Sequence, residues 1–437
     1  MNSSKLPPEK INQSHENIED VKNNRSTLTL VTAVFFMWGF ITCLNDVLVP
    51  HLKASFNLNY TQSLLIQFIF FGAYFILGAP GGWLVSKIGY RNSIISGLLI
   101  AALGAILFWP AATIHSYPLF LGALFVLAGG ITLLQVSANP YVTILGPEKM
   151  ASSRLNLSQM FNSLGTTIAP WVGGFFILST AVLTADQINL LSIADLINYQ
   201  TSQANSVIGP YLALALILVL VALAVFILHP KNTVHLERSV VGQNSQHSFR
   251  DALSYRHVRL GALSIFVYVG AEVAIGSLLI SFISQPTIGN MSSEHAAYYL
   301  SLYWGGAMVG RAIGTFLLRV IDPGYLLAIF SGLAALLVTL SVTNSGSIAL
   351  WSLVSVGLFN SIMFPTIFSL ATAGLSTIKP KAASLMIMAI VGGALLPLLQ
   401  AMMADSSIGL NHSFILPILC YLIIVHYGLT GSKVQPK

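Results

Sequence analysis

Apolar segments of about 20 residues, separated by short polar connections, follow one another along almost the whole chain. A helix must be about 20 residues long to cross the hydrocarbon core of a bilayer. The pattern therefore predicts twelve spanning helices, numbered 1 to 12 in chain order. Their predicted bounds are 28–49, 61–86, 93–113, 118–144, 155–179, 208–229, 258–284, 294–320, 325–343, 347–372, 381–403 and 412–430.

The longest polar connection covers residues 230–257 and follows the sixth helix, so it divides the chain into two predicted six-helix halves, 28–229 and 258–430. Polar segments flank these halves at 1–27 and 431–437. The first lacks an apolar core followed by a small-residue cleavage site, so it is predicted to be a disordered cytoplasmic tail and not a signal peptide.

Composition agrees with a polytopic, all-α membrane protein. Charged residues make up 8% of the chain and hydrophobic residues 55%, whereas an ordinary soluble domain carries about 25% charged residues. Cys43 and Cys420 both lie in apolar segments, which excludes a disulfide framework and a zinc cluster. The net charge of +6 sits in short loops, so no nucleic-acid partner is expected. With no metal-ligand spacing, phosphate loop or nucleophile motif, neither an enzyme nor a bound cofactor is expected.

The basic residues predict the orientation. All of the 20 Lys and Arg residues except Lys53 and Arg311 lie in the tails, in connections or at helix ends on the side of the two termini. The connection 180–207 contains no Lys or Arg. Because cytoplasmic loops are enriched in Lys and Arg, both termini are predicted to be cytoplasmic. The expectation is a multi-pass, monomeric protein of the bacterial inner membrane.

A weak internal repeat supports the division into halves. Residues 81–91 (GGWLVSKIGYR) connect helices 2 and 3, and residues 310–322 (GRAIGTFLLRVID) occupy the matching place in the second half. Both place glycines near a helix end, where they allow close helix approach. The pair resembles the loop motif of the major facilitator superfamily, in a form that lacks the usual acidic residue in the first copy. The resemblance implies two pseudo-symmetric halves that alternate around a central site.

Two carboxylates fall well inside predicted helices. A charged residue at the bilayer centre costs about 2.5–3.5 kcal/mol, so it usually faces a cavity or a partner. Asp46 lies near the outer end of helix 1 and Glu272 in the middle of helix 7, the matching first helices of the two halves. Both are predicted to line the central cavity and to couple transport to a cation. The alternatives are a carboxylate that reaches water for Asp46 and a structural hydrogen bond for Glu272.

Amides and aromatic side chains are the other unusual residues at membrane depth. Amides donate to and accept from hydroxyls, and aromatic rings stack on C–H faces. The set therefore favours a neutral, polyhydroxylated ligand, with the alternative that some amides only hold helices together. The predicted ligand-binding residues are Asn45, Gln67, Gln135, Asn139, Gln159, Asn162, Tyr268, Tyr303, Trp304 and Asn360.

Several segments are similar to the fucose–galactose–glucose:cation symporter family. They are residues 44–48 (LNDVL) with Pro50, 138–148 (ANPYVTILGPE), 154–165, 268–271 (YVGA) and 364–370 (FPTIFSL). In the L-fucose–proton branch, the resemblance implies roles for Asp46, a helix 4 glutamate and Asn162. This chain has Gln135 at the glutamate position and adds Glu272, and both departures look like the glucose/galactose branch.

The resulting hypothesis is uptake of glucose or galactose by alternating access, coupled to co-transported Na⁺ or H⁺. Asp46 would act as a proton carrier, or as a Na⁺ ligand that stays ionised. The alternatives are an L-fucose:H⁺ symporter and, more remotely, an exporter of the same superfamily or a sugar sensor.

Overall fold

The computed structural model describes residues 26–43, 56, 60–176, 190–228, 248–375 and 377–434. In these ranges the chain is helical and contains no strand. The described residues contain a helix at each of the twelve predicted positions, while residues 44–49 of predicted helix 1 and 177–179 of predicted helix 5 lie outside them. Helix 1 is Ser26–Cys43, helices 2 and 3 share Tyr60–Thr113, helix 4 is Tyr117–Ile144, helix 5 Ala151–Phe176, helix 6 Ile208–Leu228, helix 7 Arg256–Ile283, helix 8 Ser293–Val320, helix 9 Pro323–Thr343, helix 10 Gly346–Asn360 with Met363–Ala371, helix 11 Lys379–Met388 with Ala389–Val391 and Gly392–Asp405, and helix 12 Gly409–Ser413 with Ile415–His426 and Tyr427–Gly431.

The predicted connection between helices 2 and 3 is reduced to one residue. Helical geometry runs through Tyr60–Thr113 except at Gly89, where φ is 81°. A positive φ is open to glycine at little cost, so the chain turns there without a loop. Arg91 then donates to the carbonyl oxygen of Phe226 at 2.5 Å, which ties this turn to the end of helix 6.

Two segments predicted as loops contain helices. Residues 193–206 are helical, and the helix begins at Ser192, whose hydroxyl accepts from the Asp195 N–H at 3.2 Å. Phe249–Ser254 is also helical, with a capping box between Ser248 and Asp251. Local capping therefore outweighs a polar composition at both sites. Residues 1–25, 177–189, 229–247 and 435–437 lie outside the described residues. They include most of the predicted N-terminal tail, the end of the predicted C-terminal tail, and parts of the two long connections.

Close helix crossings assemble each half. A methyl group added at Gly165 of helix 5 would meet the Phe36 carbonyl oxygen of helix 1 at 2.3 Å. One added at Gly357 of helix 10 would meet the Tyr303 carbonyl oxygen of helix 8 at 2.0 Å. At each crossing glycine lets the two backbones touch and gain dispersion contacts. These contacts matter because the hydrophobic effect does not drive helices together inside a membrane.

The two halves touch at the end of the bundle where helix 1 begins and helix 12 ends. We call it the basic end, because Lys87, Arg91, Lys149, Arg319 and Lys379 lie there. The Ser152 and Ser369 hydroxyls are 2.5 Å apart across the interface, and the Gly374 N–H donates to Glu148 Oε1 at 2.8 Å. Helix 2 meets helix 11 where Gly78 lies against Met388 and, nearer mid-length, where Phe71 lies against Gly393.

Candidate functional site

Three amides of the N-terminal half form one chain of hydrogen bonds between helices 2, 4 and 5. Gln135 donates to the Tyr74 hydroxyl at 3.0 Å. Asn139, one turn along helix 4, donates to the Gln135 carbonyl oxygen at 3.0 Å and accepts from Gln159 Nε2 at 3.4 Å. All three amides are buried. The predicted shared face of Gln135 and Asn139 is confirmed, and Asn139 serves to position Gln159.

Asn162 connects helix 5 to helix 1. Its amide nitrogen donates to the Phe35 carbonyl oxygen at 3.0 Å, and its side chain lies against Gly39. The side chain is 8% exposed, the most accessible of the six buried amides described in this half. The Asn162 side chain is therefore fixed through its amide nitrogen, and its amide oxygen takes no part in this contact.

The amide oxygens of this group remain available. Within the described residues the side-chain carbonyl oxygens of Gln135, Gln159 and Asn162 accept no hydrogen bond, and none of them is sealed from solvent. Each amide is thus fixed by its N–H group and keeps an accessible acceptor without a partner among the described residues. Ligand hydroxyls are the donors that such acceptors match.

The C-terminal half has a hydrogen-bond network around Glu272. The Tyr268 hydroxyl donates to Glu272 Oε1 at 2.7 Å, and the Tyr303 hydroxyl donates to the Glu272 backbone oxygen at 3.3 Å. Asn360 donates to the Tyr303 hydroxyl at 2.8 Å and accepts from the Tyr421 hydroxyl at 2.8 Å. The network joins helices 7, 8, 10 and 12 and leaves the Glu272 carboxylate half-buried.

The hydrogen bonds of this network occupy the side-chain amide of Asn360. Its side chain is fully buried and both ends of the amide are engaged by tyrosines. Direct contact with a ligand stays a prediction for Asn360, Tyr268 and Tyr303, whereas the geometry assigns all three to holding Glu272 in place.

Trp304 and Gln67 are exposed residues on helices that contact the opposite half. Trp304 lies one turn before Met308 and two turns before Arg311 on helix 8. Met308 Sδ accepts a hydrogen bond from the Thr167 hydroxyl of helix 5 at 3.7 Å. The Trp304 side chain is 45% exposed and meets the Tyr303 ring edge-on at 5.1 Å. Gln67 is exposed one turn before Phe71, on the helix 2 face that meets helix 11.

Arg311 of helix 8 connects the two halves by hydrogen bonds to helix 5. Its guanidinium donates to the Gln159 backbone oxygen at 3.4 Å and to the Ser163 hydroxyl. Its Nε donates at 3.2 Å to the carbonyl oxygen of Ser361, which Pro365, four residues on, cannot use because proline has no N–H. The charges of Arg311 and Glu272 attract each other, so the interface contact is coupled to the acidic network.

The polar residues Asn156, Gln159 and Asn162 of helix 5 form hydrogen bonds with three different helices. Asn156 donates across the interface to the Arg311 backbone oxygen at 2.7 Å and to Thr315 at 3.1 Å. Gln159 meets helix 4 and Asn162 meets helix 1, as described above. Helix packing therefore uses part of each of these amides, and contact of Gln159 and Asn162 with a ligand stays a prediction.

The predicted residues Asn45 and Asp46 lie outside the described residues, so their roles stay predictions. Among the residues that are described, no cluster of His, Cys, Asp and Glu has the arrangement of a metal site. Sequence reasoning missed Tyr74 and Tyr421, the partners of Gln135 and Asn360. Their signal was a tyrosine inside an apolar helix, which is too common to separate from ordinary core packing.

Known proteins resemble this chain along nearly its whole length. A family model described as Major Facilitator Superfamily matches residues 30–397. The chain is 50% identical over 422 residues to the glucose/galactose transporter of Brucella abortus biovar 1 (strain 9-941), covering 97% of this chain and 98% of that protein. It is 36% identical over 430 residues to the L-fucose-proton symporter of Escherichia coli (strain K12), covering 96% and 97%. The crystal structure of FucP, a Major Facilitator Superfamily transporter in the outward conformation, superimposes with a TM-score of 0.86 at 35% identity, over 94% of this chain and 100% of that one.

Proposed function

This chain belongs to the major facilitator superfamily, and from that premise we propose that it takes up a neutral hexose, glucose or galactose, by cation-coupled alternating access. It is a multi-pass membrane transporter with the fold of that superfamily. The names of its relatives, a glucose/galactose transporter and an L-fucose-proton symporter, support sugar as the substrate class.

The observation that carries the proposal is the set of free amide oxygens in the N-terminal half. Gln135, Gln159 and Asn162 are fixed through their N–H groups and present acceptors to the cavity. Sugar hydroxyls would donate to them, and a sugar ring would stack on Trp304 from the other half. No cationic side chain is required there, which fits a neutral ligand.

Coupling is assigned to Asp46 and Glu272. The family resemblance supports Asp46, and the Tyr268 and Tyr303 contacts of Glu272 support a carboxylate held in a defined position inside the membrane. Gln135 does not titrate, so a proton relay through helix 4 is not part of the proposal. A cation bound at either carboxylate would neutralise the charge that otherwise resists reorientation of the empty site.

Arg311 would transmit occupancy of the site to the interface. It contacts helix 5 through Gln159 and Ser163, and its charge interacts with Glu272. A cation at Glu272 would weaken that attraction and with it the hold of Arg311 on the basic end. The contacts between the halves at the basic end support an outward-facing state. In this proposal the basic end faces the cytoplasm, and the protein acts as a monomer in the bacterial inner membrane.

The test is uptake of labelled glucose into proteoliposomes under two separate gradients: sodium at constant pH, and pH without sodium. Asp46→Asn and Glu272→Gln are compared with Asp195→Asn, which removes a carboxylate from the helix 193–206. We expect wild type and Asp195→Asn to concentrate sugar under one of the gradients and Asp46→Asn to equilibrate it without concentrating it.

The alternatives give different outcomes. Preferred uptake of labelled L-fucose under the pH gradient would favour an L-fucose:H⁺ symporter. Saturable glucose binding without uptake would favour a sensor, and an absence of both would overturn the proposed substrate class. Concentration of sugar by Asp46→Asn would remove Asp46 from the coupling step.

A further inference from the structure

A second cavity lies at the basic end, outside the proposed sugar site. It has a volume of about 370 Å³, within the range of small-molecule pockets. Both halves contribute to its wall, so it is complete only when they meet at this end. The residues used below are Thr143, Lys149 and Ser152 from the N-terminal half and Arg319, Ser369 and Lys379 from the C-terminal half.

The two carboxylates in the wall are already engaged by backbone N–H groups. Glu148 Oε1 accepts from the Gly374 N–H at 2.8 Å, across the interface. Asp322 Oδ1 accepts from the Tyr325 N–H at 3.0 Å and caps helix 9. Each carboxylate thus has a structural role that fixes its position.

The three cations in the wall have no close acidic partner. Within the described part of the chain, Lys149, Arg319 and Lys379 lie within ion-pair distance of no carboxylate, although the charge of Glu148 acts on Lys379. Lys379 makes one hydrogen bond, to the Thr143 hydroxyl at 3.4 Å. Arg319 lies over the Phe316 ring with its guanidinium carbon 5.3 Å from the ring centre. The three cations outnumber the two carboxylates of the wall by one, so the charge of the cavity favours an anion.

Hydroxyl groups also line the cavity. Ser152 and Ser369 are buried there and face each other from opposite halves. Each hydroxyl is able to take part in a further hydrogen bond with a polar ligand. Buried hydroxyls next to cations match a molecule with a polyol body and a phosphate end.

We propose that this cavity binds a hexose phosphate monoester from the cytoplasm and that the bound molecule holds the two halves together. Its phosphate contacts Lys149, Arg319 and Lys379, and its hydroxyls contact the serine pair. Because the cavity exists only while the basic end is closed, the ligand stabilises the outward-facing state and slows uptake. The cytoplasmic location of the cavity and the effect of the ligand on uptake rest on the proposed function. Binding of the ester does not rest on it.

Binding is tested first on the detergent-purified full chain, by equilibrium dialysis with labelled glucose 6-phosphate. We expect saturable binding that weakens at least about tenfold in the double variant Lys149→Gln/Arg319→Gln, since loss of 1.4 kcal/mol corresponds to a factor of ten. Lys87→Gln is the matched control, because Lys87 lies at the same end but outside the cavity, over the Trp83 ring. An absence of saturable binding, or equal weakening in Lys87→Gln, would overturn the proposal.

The effect on transport is tested in phosphatidylcholine proteoliposomes with glucose 6-phosphate trapped inside and chloride at equal ionic strength as the control. We expect the initial rate of labelled glucose uptake to fall at least about threefold, which corresponds to stabilisation by about 0.65 kcal/mol. The double variant should keep the uninhibited rate. If inhibition appears only when phosphatidylglycerol is added, the cavity binds a lipid headgroup and the proposal is wrong. Should the chain not transport glucose at all, the dialysis result still decides whether the cavity binds the ester.

Discussion

The two halves of the transporter hold their polar residues in opposite ways. In the N-terminal half the amides Gln135, Gln159 and Asn162 are anchored through nitrogen and keep their oxygens free. In the C-terminal half Asn360 has both ends of its amide engaged, and two buried tyrosine hydroxyls close the network around Glu272.

This difference indicates a division of labour. The N-terminal half presents acceptors that recognise hydroxyl groups, at the cost of leaving those acceptors without protein partners. The C-terminal half uses its polar groups to fix one carboxylate, and a satisfied network is rigid because each member restrains the next. Trp304 of that half is 45% exposed, and it is the ring that we propose stacks on the sugar. Four sets of substitutions break or sharpen this comparison.

Loss of the carboxylate at Glu272 should have the largest effect. We expect Glu272→Gln to lower concentrative uptake at least about tenfold, a loss of 1.4 kcal/mol or more, because the shape is kept while the charge is removed. Tyr268→Phe, which removes one donor to the carboxylate, should have a smaller effect. The measurement is the steady-state ratio of sugar inside and outside proteoliposomes. A normal ratio in Glu272→Gln would make the residue structural.

Substitution of one amide in each half should separate binding from stability. Asn360→Leu leaves the Tyr303 and Tyr421 hydroxyls buried without that partner, at about 1–3 kcal/mol for each unsatisfied group. Its melting temperature in detergent should therefore fall. Gln135→Met should instead raise the KM for sugar about tenfold with little change in melting temperature, since a hydrogen bond to the ligand is lost.

Equal destabilisation by both variants would contradict the comparison. It would show that the Gln135–Tyr74 bond supports the fold as strongly as the Asn360 network does. Thr113→Val, at an exposed helix end, is a control for the effect of losing one polar group.

Close helix crossings provide the third comparison. Gly357→Ala would push against Tyr303, and Gly165→Ala would push against Phe36. Overpacking costs about 1–3 kcal/mol, so thermal unfolding should show both variants destabilised. Only Gly357→Ala should also lower concentrative uptake, because Tyr303 supports Glu272. Gly305→Ala is the control, since nothing lies within 4 Å of its added methyl group.

The smallest effect is expected at the interface between the halves. Ser152→Ala removes one hydrogen bond to Ser369, which contributes about 0.5–1.5 kcal/mol. The basic end should open more often, and spin labels at Lys87 and Lys433, one on each half, would report longer distances. Ser86→Ala, which affects a bond within helix 2, should leave the distances unchanged; a shift of equal size there would refute the assignment.

Some features of the site could be predicted from the sequence and others could not. The shared face of Gln135 and Asn139 follows from their spacing, and the presence of Glu272 inside helix 7 follows from its apolar neighbours. Tyr74 and Tyr421 could not be recognised, because their partners are 61 residues away in the chain in both cases. The helix 193–206 could have been found from the capping pair Ser192 and Asp195, but its polar composition argued for a loop.

The sequence by itself determined the twelve spans and the kind of polar residue placed inside them. The reason is that the thickness of a bilayer sets the length of a helix, and the cost of a buried polar group makes each exception conspicuous. Only the tertiary structure decided which amide atoms stay free, which tyrosines hold Glu272, and where the halves meet. Those properties depend on distances between helices that are remote in sequence, and a difference of about 1 Å changes a free acceptor into a bonded one.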